Sequence, residues 1–81
     1  MRITVRFFAL IRDRAGVPQT DLVLEPGTAV AGAVKIIGER FPDLAPLLPR
    51  IGYAVNQAYV DRATVLRDGD ELALIQPVSG G

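Results

Sequence analysis

The sequence predicts a two-layer α+β domain, a sheet of four to five strands with one main helix packed across one face. Two observations carry this expectation. Apolar residues alternate with polar ones at period two near both ends of the chain, which is the signature of half-buried strands. Between them, Val30, Val34, Ile37 and Phe41 fall at i, i+4, i+7 and i+11, one stripe of an amphipathic helix.

Taken in order, Arg2 to Phe7 places Ile3, Val5 and Phe7 on one side and Arg2, Thr4 and Arg6 on the other. Phe8 continues this strand on the polar side. Ala9 to Gln19, with Arg12-Asp13-Arg14 and Gly16-Val17-Pro18, reads as a charged connection ending in turn residues. Thr20 to Glu25 is a second strand with Leu22 and Leu24 inward, stopped by Pro26-Gly27. Thr28 is placed as the helix N-cap, its hydroxyl accepting from first-turn amides. Gly32 and Gly38 each cost about 1 kcal/mol against alanine in a helix interior. Either packing on the sheet holds the helix despite them, or they admit a close neighbour. Phe41-Pro42 ends the helix, and Pro42, Pro46 and Pro49 space a loop whose Leu44, Leu47 and Leu48 cover one end of the core.

Ile51 to Val55 is a third strand, followed by a turn at Asn56-Gln57 and a short pairing at Tyr59-Val60. Arg67-Asp68-Gly69-Asp70 is a tight turn, because Asp-Gly supplies the positive φ angles such turns need. Glu71 to Ile75 is the last strand, with Leu72 and Leu74 opposite Glu71, Ala73 and Ile75. Pro77 ends regular structure.

Composition narrows the function. Nine basic and nine acidic side chains cancel, which gives no electrostatic footprint for nucleic acid or an anionic membrane. Cysteine and histidine are absent, removing disulfides, thiolate and imidazole metal ligands, a cysteine nucleophile and the commonest general base. Asp68, Asp70 and Glu71 sit around an expected hairpin turn and belong to turn chemistry, not to a cation site, and no metal is expected. No apolar run is long enough to cross a bilayer and no signal peptide precedes the first strand, so a soluble cytoplasmic protein is expected. The chain is 49% hydrophobic, which means either a well-filled core or apolar surface that meets a partner.

The chain ends Val78-Ser79-Gly80-Gly81. Two terminal glycines make a slender end without Cβ atoms, able to thread a narrow pocket and present the terminal carboxylate to a reagent. The bland alternative is a frayed terminus. Parity adds a candidate surface. Phe8 lies on the arginine-bearing side of its strand, Ile75 lies opposite Leu72 and Leu74, and Tyr59 sits beside a short turn. These three form an expected exposed patch near the tail, with Arg12 as a charged anchor. Otherwise Phe8 bends inward at a bulge and Ile75 is covered by its own loop.

The residues Phe7-Phe8-Ala9, Arg12-Asp13, Gly16, Val55-Asn56, Leu66 to Leu72 and Pro77-Val78-Ser79-Gly80-Gly81 together resemble the small subunit of molybdopterin synthase, the MoaD family. The resemblance spans the chain. Gln76 departs from it, standing where the family often has a second proline, and Asp13 replaces the usual glutamate. It implies a β-grasp (ubiquitin-like) fold with a mixed sheet over residues 1–75 and a flexible tail over 76–81. It further implies a sulfur carrier. The Gly81 carboxylate is adenylated by ATP on a MoeB-like activating enzyme, receives sulfur from a donor and becomes a thiocarboxylate. The tail then delivers that sulfur to a pyranopterin precursor in the large synthase subunit, in a heterotetramer.

On this reading Gly81 and Gly80 carry the chemistry. Phe8, Arg12, Tyr59, Ile75, Pro77 and Val78 meet the partner, and the catalytic side chains lie in the large subunit. The chain itself is carrier and co-substrate, with no cofactor of its own. The alternatives are a related carrier for tRNA thiolation or thiamine synthesis, a protein modifier joined to lysines, and a non-catalytic β-grasp interaction module whose Gly-Gly is idle. Thiamine carriers tend to be shorter and lack the Phe-Phe-Ala start.

Overall fold

The computed structural model describes residues 1–76. Five strands, β1 (Arg2–Phe7), β2 (Gln19–Val23), β3 (Gly52–Val55), β4 (Ala58–Val60) and β5 (Glu71–Ile75), form one sheet in the order β2-β1-β5-β3-β4. The central pair, β1 and β5, runs parallel, and every other pairing is antiparallel. This is the mixed β-grasp sheet. The helix α2 (Val30–Arg40) lies across its inner face.

The alternation seen in the sequence builds that inner face. Ile3, Val5 and Phe7 of β1, Leu22 of β2 and Leu72 and Leu74 of β5 are all buried. They join Val30, Ala33, Val34 and Ile37 of α2 in one apolar cluster. Phe7 meets Phe41 edge-on, with ring centroids 5.3 Å apart, so the helix end is pinned to the end of β1. Leu44 and Leu48 are buried in two 3-10 turns, Pro42–Leu44 and Leu48–Arg50, and close one end of the core as expected. Leu47 is partly buried against them.

The glycines of α2 admit close neighbours. A Cβ on Gly38 would lie 3.1 Å from Leu48 Cδ1, and one on Gly32 would lie 2.9 Å from Thr28 Cγ2. Packing therefore explains residues that helix propensity alone counts as a loss.

Three local expectations are corrected. Residues 9–19 are not merely a connection: Ala9–Ala15 forms a short helix, α1. Its residue types favour a helix, but only Ile11 is buried, so no apolar stripe announced it. Gly16 closes it at φ 82°, in the left-handed region glycine tolerates, donating to Arg12 O. Thr28 is not the cap of α2. Ala29 holds that position, and the Thr28 hydroxyl donates instead to Glu25 O at 2.6 Å. The first-turn amides of α2 are satisfied by backbone carbonyls: Val30 N donates to Thr64 O and Ala31 N to Arg62 O. Lastly, the Asp68-Gly69 turn does not join a hairpin, because it leads into β5, whose neighbours are β1 and β3. Gly69 still supplies the positive φ, at 84°.

The hairpin turn lies at Asn56-Gln57, which links β3 to β4. Both residues are left-handed, with φ 51° and 71°, matching a two-residue turn that follows strand twist.

Leu72 sits fully buried on the central strand β5, against α2 and between neighbours on both sides. Leu72→Ala is expected to lower unfolding stability by about 2–5 kcal/mol. Urea denaturation checks this as a lowered midpoint at unchanged slope.

Candidate functional site

The outer face of the sheet, away from α2, holds the candidate site. Register fixes its layout. Arg6 of β1 pairs with Ala73 of β5, Ala73 with Ala54 of β3, and Ala54 with Tyr59 of β4. One row across four strands thus reads large, small, small, large. On the next row Ile75 of β5 pairs with Gly52 of β3. Small residues in the middle and bulky ones at the margins make a trough of about 320 Å³, lined by Arg6, Phe8, Ala54, Gln57, Tyr59, Glu71, Ala73 and Ile75. Ala54 is 5% exposed yet lies outside the core cluster, because it forms the trough floor.

Three residues singled out by parity converge here. Phe8 is 44% exposed and Tyr59 79%, so neither folds inward, and Ile75 is half-buried on the same face. Phe8 stays outside because the chain turns sharply after it: Ala9 adopts φ 49°, a left-handed conformation costing about 1–2 kcal/mol outside glycine. That turn starts α1 and leaves the phenyl ring on the outer face. An exposed aromatic pair above an apolar floor is a surface suited to a partner.

Arg12 is not brought into the trough. It lies on α1 and lines a separate hollow with Asp13, Gly16, Val17 and Pro18. Its backbone amide donates to Phe8 O at 3.2 Å, one helical turn from the aromatic ring. Pro77, Val78, Gly80 and Gly81 lie outside the described residues. Ile75 is the last residue of β5, so the trough adjoins the point from which they follow.

Arg6, Gln57, Glu71 and the two alanines were missed from the sequence. The Arg6 guanidinium lies 5.5 Å from the Phe8 ring centroid, and its Nη1 is 3.7 Å from Glu71 Oε2. Strand parity alone put Arg6 on the outer face with Phe8. Only register shows that Ala73 and Ala54 open a depression beside it.

A hydrogen-bonded clamp holds the far wall. Asn56 Nδ2 donates to Asp70 Oδ1 at 2.9 Å, and Glu71 N donates to Asn56 Oδ1 at 3.0 Å. The second Asp70 oxygen accepts from Arg67 N at 2.8 Å, and Asp68 Oδ1 accepts from Arg2 N at 2.8 Å. These carboxylates organise the turn before β5, and Asn56 ties that turn to the β3–β4 hairpin bearing Gln57 and Tyr59. Among the described residues no group of three or more acidic, histidine or cysteine side chains is arranged to hold a metal ion. Nor is any helix among them long and apolar enough to cross a membrane.

Comparison with known proteins places this geometry. The model of the ThiS family matches residues 5–81. The chain is 33% identical to the molybdopterin synthase sulfur carrier subunit of Mycobacterium tuberculosis, covering 100% of this chain and 99% of that protein. It is 36% identical to the subunit of the same name from Chlamydomonas reinhardtii, with 100% of both chains covered. Among solved structures, SAMP1 from Haloferax volcanii superposes with a TM-score of 0.91 at 24% identity over 100% of both chains, a likeness of fold. A chain from the complex of subunits 1 and 2 of molybdopterin-converting factor from Helicobacter pylori superposes with a TM-score of 0.73 at 26% identity, again over 100% of both.

Asn56→Ala removes both side-chain hydrogen bonds and leaves alanine in a left-handed turn. A loss of about 2–3 kcal/mol is expected. Asn56→Gly loses the same bonds without the strain, so it is expected to be the milder variant by about 1 kcal/mol. Parallel urea titrations check the order.

Proposed function

This chain belongs to the ThiS family, and from that premise we propose that it serves as the sulfur-carrier subunit of a molybdopterin synthase. The observation that carries the reading is the end-to-end match to relatives bearing that name, which extends to the Gly80-Gly81 terminus.

The chemistry follows from what the chain has and lacks. A carboxylate resists nucleophilic substitution, since its leaving group would be an oxide. Attack of the Gly81 carboxylate on the α-phosphate of ATP, on a MoeB-like activating enzyme, expels pyrophosphate and gives an acyl-adenylate. A sulfur donor then displaces AMP and leaves a thiocarboxylate. The chain contains no cysteine, so that sulfur comes from elsewhere. ATP is consumed on the activating enzyme, and this chain binds no cofactor in the scheme.

Delivery requires docking. The large synthase subunit is the partner, by analogy with the Helicobacter pylori complex of subunits 1 and 2. Phe8, Tyr59 and Ile75 form the apolar contact, with the heterotetramer as the working assembly. Arg12, Pro77 and Val78 extend this contact. A subunit that covers the trough also covers the end of β5 and receives the residues that follow. Gly80 and Gly81 suit a narrow channel because neither carries a Cβ. The catalytic side chains acting on the pyranopterin precursor belong to the large subunit.

A second reading, a carrier for tRNA thiolation or a protein modifier with the same tail chemistry, finds support in the fold likeness to SAMP1.

Removal of the Gly81 codon from the only copy of the gene separates these readings. Molybdopterin is expected to be lost, while the purified truncated chain still binds the large subunit with affinity within about threefold of the full chain. Normal molybdopterin in the truncated strain would overturn the proposal.

A further inference from the structure

The trough is lined by apolar Phe8, Ala54, Ala73 and Ile75, by polar Gln57 and Tyr59, and by the charged pair Arg6 and Glu71. Among the described residues, Arg6 is its only cation. The guanidinium is held in place from two sides, by the Phe8 ring at 5.5 Å and by Glu71 at 3.7 Å. The second contact is too long for a charge-assisted hydrogen bond, which closes to about 2.7–2.9 Å. The Arg6 and Glu71 side chains are 43% and 38% exposed, so water completes their hydration in the free chain.

Docking removes that water. A guanidinium carries five N–H donors in a fixed planar fork, and covering it without acceptors leaves donors buried and unpaired. Glu71 meets one edge of the fork at a distance, so the remaining donors need partners from the incoming surface. A carboxylate satisfies a guanidinium edge with two parallel hydrogen bonds and also balances its charge. Stacking on Phe8 already restricts the fork, so less side-chain freedom remains to be lost on docking.

We infer that Arg6 is a specificity-determining residue of the docking trough. The partner segment that fills the trough presents an apolar side chain to the Ala54–Ala73 floor and, beside it, an Asp or Glu carboxylate to the Arg6 fork. This rests on the proposed function, which supplies the identity of the partner as the large synthase subunit. The aromatic and aliphatic walls give the contact its area; Arg6 selects which surface fits.

Calorimetric titration of the full-length chain with the large subunit tests the inference, using Arg6→Ala, Arg6→Lys and Arg6→Gln. Thermal melts of each free chain confirm that it is folded. Arg6→Ala is expected to weaken binding about 30-fold or more. Arg6→Gln should lose a similar amount. Arg6→Lys should recover only a minor part, since lysine has charge without the planar fork. An Asp→Asn and Glu→Gln scan of the large subunit should yield one variant that weakens binding of the wild-type chain and adds nothing to Arg6→Ala.

Arg6→Ala binding within about twofold of wild type would overturn the inference, as would a scan with no such coupled carboxylate; neither result touches the carrier reading. Tight binding by wild type with loss only in Phe8→Ala and Tyr59→Ala would likewise leave the trough and remove Arg6 from its role. Failure of the folded wild-type chain to bind the large subunit at all would instead sink the partner assignment, and the inference with it.

Discussion

The parallel pairing of β1 with β5 fixes nearly everything else in this domain. It brings the first and last strands together at the centre of the sheet, with Thr4 to Phe7 set against Glu71 to Leu74 in register. Because side chains alternate along each strand, that register settles both faces at once. Val5, Phe7, Leu72 and Leu74 go beneath α2, while Arg6 and Ala73 go to the outer face. A slip by one residue on β5 would lift Leu72 and Leu74 out of the core and close the trough with their side chains. Core and docking surface are therefore two consequences of one alignment. Burial of the inner face, the larger energetic term, enforces the geometry of the outer one.

The outer face shows why small residues matter as much as large ones. Phe8 and Tyr59 would be isolated exposed aromatics on a flat sheet. With alanine at positions 54 and 73 between them, they become the walls of a depression. The Asn56 clamp holds the β3–β4 hairpin in a left-handed turn and so keeps the Tyr59 wall in place. The Ala9 turn does the same for Phe8. Both walls stand on left-handed residues other than glycine, supported on one side by hydrogen bonds and on the other by the start of α1.

Much of this was legible in the sequence where a periodic signal existed. The alternation of β1 and β5 and the stripe of α2 gave the layers, and parity put Phe8 and Ile75 on the outer face. The rest carried no such signal. Helix α1 buries one side chain, so its seven residues show no stripe. The cap of α2 is a set of carbonyls from residues 62 and 64, and carbonyls are the same whatever the residue, whereas Thr28 has a capping side chain that bonds elsewhere. The parallel sense of β1 and β5 leaves no mark in either strand's own pattern. The trough floor was illegible for the same reason: Ala54 and Ala73 lie nineteen positions apart and become one surface only through pairing. Arg12 has the residue type of an interface anchor, and α1 sets it at a hollow separate from the trough, so the proposed contact reaches it only by extending beyond the trough.

The carrier account separates two parts of one small chain: a folded face that selects the partner, and a terminal carboxylate that carries the sulfur. Its central claim concerns the second part, and intact-mass spectrometry of the chain tests it directly. After incubation with ATP, the activating enzyme and a sulfur donor, the account predicts one oxygen replaced by sulfur, localised by fragmentation to Gly81. An unchanged carboxylate after complete consumption of ATP by the chain's own activating enzyme, or sulfur found elsewhere in the chain, would contradict it.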